Sequence, residues 1–237
     1  MGNNQHLKRH GMPTLWSAER KNEKFIAKPN PGSHKMKYVV PVVVLLRDIL
    51  KYAKTSKEAK LIIHDDEVLV NGKKITDIKF AIGIFDVFEI KKTNEKYVVV
   101  FNELGKVKLT QVKDDLLFLK VTSKTALKEN KFQLNFMNGF NLIVDKKVFA
   151  STKVNDTIVF DFVKKKVVET ISLKEGAFVY IFDGKFQGSA GKLNSFDIYS
   201  GLTRDVAHID IEGHVHTTAK DYCFAVGTKK EDLKRFA

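Results

Sequence analysis

From residue 95 onward, the chain is a succession of short apolar runs rich in Val, Ile and Phe, separated by turn residues. Each run has the length of a strand and is too short for a typical helix. Turns are indicated by Leu104-Gly105, Asn138-Gly139 and Asn155-Asp156. The runs therefore predict a nearly all-β structure with strands at Tyr97–Phe101, Lys106–Val112, Leu116–Val121, Phe132–Phe136, Phe140–Val144, Ile158–Phe162, Val167–Ile171, Phe178–Phe182, Val206–Ile211, His214–Thr217 and Tyr222–Val226.

The segment before this β region has a helical pattern. Pro41 suits the first turn of a helix, because its missing N–H would be unsatisfied there. Apolar residues then recur at helical spacing, at Leu46, Ile49, Leu50 and Ala53. Basic residues fall on the opposite side of the predicted helix, at Arg47, Lys51 and Lys54.

A second helix is predicted to begin near Ser56. Thr55 and Glu58 have the spacing of a capping box, in which each side chain bonds a backbone N–H near the helix start. Basic residues again share one face of this helix, at Lys57, Lys60 and His64.

A β-hairpin is predicted directly after the second helix. Asn71-Gly72 separates two short β segments, Val68–Val70 and Lys73–Thr76. Asn-Gly favours a tight hairpin turn because both turn positions need positive φ. Lys73 and Lys74 leave that turn, and Asp86–Ile90 reads as a further strand.

The first 37 residues show no sustained period and are strongly basic. They hold 8 Lys and Arg against 2 Asp and Glu, in a chain whose net charge is +13 and whose pI is about 9.6. The pattern predicts a basic arm that becomes ordered against a partner, with Trp16 and Phe25 as anchors; the alternative is a disordered tail. The charge points to a polyanion, with nucleic acid ahead of an anionic membrane surface, although clustered charge can also serve only solubility.

Several classes of protein are disfavoured. The longest apolar run, Val39–Leu46, is interrupted by Pro41 and is too short for a membrane helix, and Met1–Arg9 lacks the apolar stretch of a secretory signal. The single cysteine, Cys223, lies in an apolar run and is expected in the core of a protein from a reducing compartment. The sequence contains no P-loop, nucleophile elbow or zinc-protease motif, so we expect no enzyme, no cofactor and no small-molecule substrate.

Two further patterns fall in the last third of the chain. Glycines recur there in a β context, which allows tight turns and close backbone approach to a partner, although glycines in β turns are common; they include Gly184, Gly188 and Gly191, with Lys185 among them. His214 and His216 lie two apart in a strand and should share a face. An RNA-facing or surface pair is favoured there over a metal pair, because no third ligand is evident.

These features together resemble a known family. The stretch from Val42 to Ile90 resembles the S-four RNA-binding domain, and the glycine pattern after Glu175 resembles a KOW motif. The whole chain resembles the archaeal and eukaryotic e-type small-subunit ribosomal protein S-four family. Its landmarks are His6–Arg9, Trp16, Pro31–Lys35, Leu50–Ala53, Thr76-Asp77, Lys153–Thr157 and the stretch from Ile209 to Gly227. Asp183, at a position that is often glycine in the family, is a departure, as is the short tail.

The resemblance implies an α+β fold in four parts. These are an extended basic arm (1–37), a small helix–helix–hairpin RNA-binding domain of S-four type (38–94), a β-barrel-like central domain (95–172) and an SH3-like KOW barrel with a C-terminal tail (173–237). It implies a structural constituent of the small ribosomal subunit in the cytoplasm, bound to ribosomal RNA and neighbouring ribosomal proteins.

The expected RNA contacts are mostly lysines, whose compact charge suits phosphate neutralisation. They are Lys8, Arg9, Lys35, Lys37, Arg47, Lys51, Lys54, Lys57, Lys60, Lys73, Lys74, Gly184, Lys185, Gly188 and Gly191. A free RNA-processing enzyme or ribosome-assembly factor is the alternative function. A NusG-like transcription factor would share the KOW motif but lacks an S-four domain.

Overall fold

The computed structural model describes residues 6–65, 68–128, 130–199 and 203–227. Regular structure in these ranges is mostly β-sheet, and none of the few helices there is long and apolar enough to cross a membrane. The chain divides into two compact units, the first from residues 1–99 with 106–114 and the second from 100–105 with 115–237. The coarse architecture, mostly β with few helices, agrees with the strand pattern in the sequence.

The strands up to residue 112 form one larger sheet and two short pairs. In the larger sheet the order is β5-β4-β7-β8-β9, while β1 pairs with β2 and β3 with β6. The strands are β1 (Leu7–Lys8), β2 (Phe25–Ile26), β3 (Val39–Pro41), β4 (Val68–Val70), β5 (Lys73–Lys74), β6 (Ala81–Gly83), β7 (Val87–Ile90), β8 (Glu95–Phe101) and β9 (Val107–Val112).

The Asn-Gly turn predicted from the sequence joins β4 to β5. Asn71 and Gly72 have φ of 50° and 75°, the left-handed conformations that a two-residue hairpin turn requires. Val70 is paired with Lys73 across the turn. The Asn71 side chain accepts a hydrogen bond from the Val87 N–H at 2.8 Å, so the turn is also attached to β7.

The first helix is shorter than predicted. It consists of the turn α1 (Val42–Val44), which continues as a π-helical turn at Leu45–Ile49. Lys51 has φ of 60°, and the N–H groups of Tyr52 and Ala53 both donate to the Leu46 carbonyl. The expectation of a regular helix through Lys54 was therefore wrong, because the chain folds back onto the Leu46 carbonyl after one π-helical turn.

The second helix, α2 (Ser56–Asp65), begins at the predicted capping box. The Thr55 hydroxyl oxygen accepts from the Glu58 N–H at 3.2 Å, and the Glu58 carboxylate accepts from the Thr55 hydroxyl at 3.0 Å and the Lys54 N–H at 2.8 Å. These hydrogen bonds, first that from Lys54, lower the pKa of the Glu58 carboxyl. Ala59 and Ile63 are buried and attach the helix to the core.

The N-terminal arm packs on its own chain from residue 6 onward, and residues 1–5 lie outside the described ranges. Trp16 is 2% exposed, and its indole N–H donates to the Val39 carbonyl at 2.7 Å. Leu15 and Ile26 are also buried. The expectation that the arm is ordered only by a partner was therefore wrong for residues 6–37, because its few apolar side chains have partners within the first unit. Trp16 is an anchor, as predicted, but Phe25 is 46% exposed.

The second unit contains two five-stranded antiparallel sheets. The first has the order β12-β11-β10-β13-β14, and the second has the order β18-β17-β16-β15-β19. The elements are β10 (Leu116–Ala126), β11 (Phe132–Phe136), β12 (Asn141–Val144), α3 (Lys146–Ser151), β13 (Thr157–Asp161), β14 (Lys166–Ile171), β15 (Phe178–Ile181), β16 (Ala190–Asp197), β17 (Val206–Ile211), β18 (His214–Ala219) and β19 (Cys223–Gly227).

Cys223 lies in the core of this unit, as predicted. It is fully buried with Val179, Ile181, Leu193 and Ile209. Burial raises the pKa of its thiol to about 11, so the thiolate needed for nucleophilic chemistry is disfavoured.

Candidate nucleic-acid interface

Four of the expected RNA contacts lie on and just before α2, at Lys51, Lys54, Lys57 and Lys60, and are called the lysine segment here. All four side chains are exposed. The opposite face of α2 is fixed by Ala59 and Ile63, which are buried. The lysine segment therefore presents ammonium groups from α2 and from the turn before it, and the position of α2 depends on apolar packing. This arrangement suits contacts with phosphate groups.

Arg47 is in a different situation from these lysines. Its guanidinium donates to both carboxylate oxygens of Asp48, at 3.2 and 2.8 Å, and the two side chains are only 15% and 16% exposed. Such a bidentate pair satisfies the guanidinium within the chain. The prediction that Arg47 shares a helical face with Lys51 and Lys54 was wrong, since the helix ends before Lys51. The sequence feature that indicates this ion pair is Asp48, which directly follows Arg47.

The hairpin presents Lys73 and Lys74, and both are exposed. As neighbours in a strand, they point to opposite sides of β5. Their position is fixed from behind the turn, because the Asn71 amide donates to the Asp86 carboxylate at 2.8 Å. The hairpin therefore offers one lysine to each side of its sheet.

The arm presents Lys8, Lys35 and Lys37 at its surface. Arg9, the fourth cation expected to contact RNA there, is only 2% exposed. Its Nη1 donates to the Glu19 carbonyl at 2.7 Å, within the arm itself. Arg9 is therefore a structural residue of the folded arm in this conformation, and the expectation of a surface position was wrong.

The glycine pattern belongs to the second unit. A Cβ on Gly188 would lie 1.9 Å from the Asn102 carbonyl oxygen, and one on Gly191 would lie 2.3 Å from the Asp210 carbonyl oxygen. Gly184 has φ of +94° and lies against the Tyr222 ring. The close backbone approach expected toward a partner is thus made within the chain at Gly188 and Gly191. Lys185, between these glycines, is exposed.

The two histidines of β18 lie beside this glycine loop. The His216 ring is 4.4 Å from the Phe186 ring and 6.5 Å from the His214 ring, measured between centroids. Within the described ranges, no cluster of three or more His, Cys, Asp or Glu side chains is placed to hold a metal ion. Sequence reasoning found the histidines but missed Phe186, whose only signal was its position between Gly184 and Gly188.

The fold and these surfaces define a class: a basic, mostly β protein whose first unit exposes lysines from a helix, a hairpin and an arm. Residues 1–37 match the RS4NT (NUC023) domain model, and residues 93–167 match the Ribosomal family S4e model. The small ribosomal subunit protein eS4 of Archaeoglobus fulgidus is 36% identical over 228 residues, covering 96% of this chain and 95% of that protein. The eS4 protein of Methanocaldococcus jannaschii is 33% identical over 242 residues, covering 98% of each chain.

A solved structure of a related ribosomal protein is also similar to this chain. The crystal structure of the 30S ribosomal protein S4e from Thermoplasma acidophilum has a TM-score of 0.69 and 30% sequence identity, and the match covers 81% of this chain and 97% of that one. The chain belongs to the S4e family of small ribosomal subunit proteins, as the resemblance in its sequence predicted.

Proposed function

We propose that this protein is a structural constituent of the small ribosomal subunit that binds ribosomal RNA and stabilises its folded form. The observation that carries the proposal is the similarity, across 96% of the chain, to a protein named as part of that subunit. The net charge of +13 supports it, since RNA is the polyanion of a ribosome. The expected location is the cytoplasmic ribosome, and the partners are ribosomal RNA and neighbouring ribosomal proteins.

The mode of binding we propose is neutralisation of RNA phosphates by many separate lysines. Arg47 and Arg9 are largely buried and donate to acceptors within the chain, whereas the lysine segment is exposed. Lysine is a hydrated point charge on a flexible stem and suits phosphates in varied positions. The proposed contacts are Lys8, Lys35, Lys37, Lys51, Lys54, Lys57, Lys60, Lys73, Lys74 and Lys185.

The proposed RNA-binding parts follow the order of the chain. The succession α1, α2 and the β4–β5 hairpin supports an S-four-type RNA-binding domain at 38–94 after the arm at 1–37. The two five-stranded sheets of the second unit support a central β domain from 116 to 172 and a KOW domain of SH3-like type from 173 onward, whereas the strands at 95–112 extend the sheet of the preceding hairpin. Residues 228–237, the proposed tail, lie outside the described ranges.

A structural role is favoured over a free RNA-processing enzyme or assembly factor. The relatives found along the whole chain are named as ribosomal subunit proteins. The buried Tyr180 hydroxyl has a structural role, since it accepts from the N–H of Phe101 and donates to the carbonyl of Phe101, each at 2.8 Å.

The experiment is the salt dependence of binding to purified small-subunit ribosomal RNA. A variant with Lys→Gln at all four positions of the lysine segment keeps the aliphatic stems and removes the charges. Each lost phosphate contact should flatten the slope of log K against log salt by about 0.7–0.9, so the full variant should lose roughly 3 units of slope. The matched control carries Lys→Gln at four other exposed positions, Lys128, Lys146, Lys147 and Lys166. Equal slopes for the two variants would show that the lysine segment is only a solvated surface.

A further inference from the structure

The edge strand β18 carries two imidazoles on the core-facing side of its sheet. His214 is paired with Ile211 and His216 with Ile209, and Ile209 is fully buried in the core. Residues directly opposite each other in an antiparallel pair share a face. Val215 therefore points to the other face, where it is 59% exposed. The two histidines therefore lie at the boundary between the core of the second unit and the solvent.

The loop between β15 and β16 extends this row of rings. Phe186 packs against the core cluster from one side, and its ring lies 4.4 Å from the His216 ring at an interplanar angle of 39°. The His214 ring follows at 6.5 Å and is exposed. Phe186, His216 and His214 thus form a ring row that is anchored in the core and ends in an exposed imidazole.

Cations accompany the ring row. The Lys185 ammonium is 5.6 Å from the centroid of the Phe186 ring, and the side chain is exposed. Across the same loop, the Tyr222 ring lies against Gly184, and the Tyr222 hydroxyl accepts from exposed Arg204 at 3.1 Å.

The nearby carboxylates are mostly engaged. The Asp183 carboxylate accepts from the Gly184 N–H at 2.9 Å, and Asp205 is paired with Lys220 at 3.0 Å. The Asp210 carboxylate accepts from the Gly213 N–H at 2.9 Å, which leaves Glu212, exposed in the β17–β18 turn, as the acidic side chain nearest in sequence to His214. An anionic ligand would therefore be favoured on the Lys185 side of the row.

We propose that the ring row stacks an unpaired base of single-stranded RNA on His214, while Lys185, at the Phe186 end of the row, contacts a phosphate of the same strand. Unpaired bases stack on aromatic side chains, including histidine, and the contact tolerates any base because each has a π face. The inference rests on the proposed function and adds to it a site for unpaired nucleotides. It differs from the lysine segment, which offers charge without a stacking surface.

The test compares two probes with the full chain: a mixed-sequence single-stranded RNA oligonucleotide and the same oligonucleotide annealed to its complement. His214→Ala should weaken binding of the single strand by about 5- to 100-fold, the range for loss of one stacked base, and leave duplex binding unchanged. His214→Phe should restore binding and His214→Leu should not, since only the aromatic ring can stack. Val215→Ala, on the opposite face of the same strand, is the matched control.

The possible results distinguish a failure of the proposed stacking site from a failure of the proposed function. If His214→Ala binds the single strand like the wild type, or if His214→Leu restores binding as well as His214→Phe, the stacking site is overturned. The proposed function survives that result as long as the wild type binds small-subunit ribosomal RNA. If the wild type fails to bind that RNA, the proposed function itself fails.

Discussion

The imidazole of His34 is hydrogen-bonded to the carboxylate of Asp86 at 2.9 Å, although the two residues are 52 positions apart. Both side chains are 5% exposed. The same carboxylate accepts from the Gly83 N–H at 2.9 Å and from the Asn71 amide at 2.8 Å. One buried carboxylate thereby joins the arm, the hairpin turn and β6.

We predict that Asp86→Ala destabilises the protein strongly. The change leaves three buried or half-buried donors without an acceptor, and each such group costs about 1–3 kcal/mol. Chemical denaturation should therefore show a loss of at least about 3 kcal/mol in the free energy of unfolding. Asp65→Ala, which removes a carboxylate that is 61% exposed, is the control and should stay within about 0.5 kcal/mol of the wild type. Similar stabilities for the two variants would contradict a structural role for Asp86.

We predict that Gly188→Ala is also destabilising, for a backbone reason. Gly188 has φ of +89°, and an added Cβ would meet the Asn102 carbonyl oxygen at 1.9 Å, so the loop has to move. The melting temperature should fall by several degrees or more, because strain and displaced packing add. Gly11→Ala is the control, since an added Cβ there has nothing within 4 Å. A melting temperature for Gly188→Ala equal to that of the Gly11→Ala control would rule out the steric explanation.

Lys120 makes the stability depend on pH. The side chain is 4% exposed, and its ammonium donates to the carbonyls of Asp221 and Cys223 at 2.6 and 2.7 Å. Burial lowers the pKa of Lys120 from 10.5 to about 8. Between these two values the unfolded chain keeps a proton that the folded protein has lost, so the free energy of unfolding rises with pH in this window. Below the window Lys120 contributes no pH dependence, because it is protonated in both states.

The measurement is the free energy of unfolding of the wild type and of Lys120→Met as a function of pH. Relative to the variant, the wild type should gain about 2 kcal/mol between about pH 7.5 and about pH 10. The difference should be constant below about pH 7, where Lys120 is protonated in both states. Parallel curves across the whole range would mean that the burial of Lys120 has no effect on its titration.

Local patterns in the sequence predicted much of the fold. The capping box at Thr55 and the Asn71-Gly72 turn each specify a conformation through neighbouring residues, and both form. β16 could not be read in this way, because Gly191, Lys192, Asn194 and Ser195 favour strands poorly. The strand forms because β15 and β17 pair with it on both sides.

For the candidate site, too, local patterns in the sequence predicted only what depends on neighbouring residues. Exposure of Lys57 and Lys60 followed from helical spacing, since Ala59 and Ile63 define the buried side of α2. The burial of Arg9 depends on the distant Glu19 carbonyl, which no periodicity reveals. The packing of the Phe186 ring against the His216 ring likewise depends on a loop and a strand that are brought together only in the folded sheet.

The central claim, that this chain is a constituent of the small ribosomal subunit, is tested most directly by sedimentation. A cell lysate is run through a density gradient at low salt, and the protein is detected in each fraction beside ribosomal RNA. We expect the protein to sediment with small subunits and to be released as the salt concentration rises, because its proposed contacts are mainly with phosphates. A protein that stays in the slow, soluble fractions at low salt and never sediments with small subunits would contradict it.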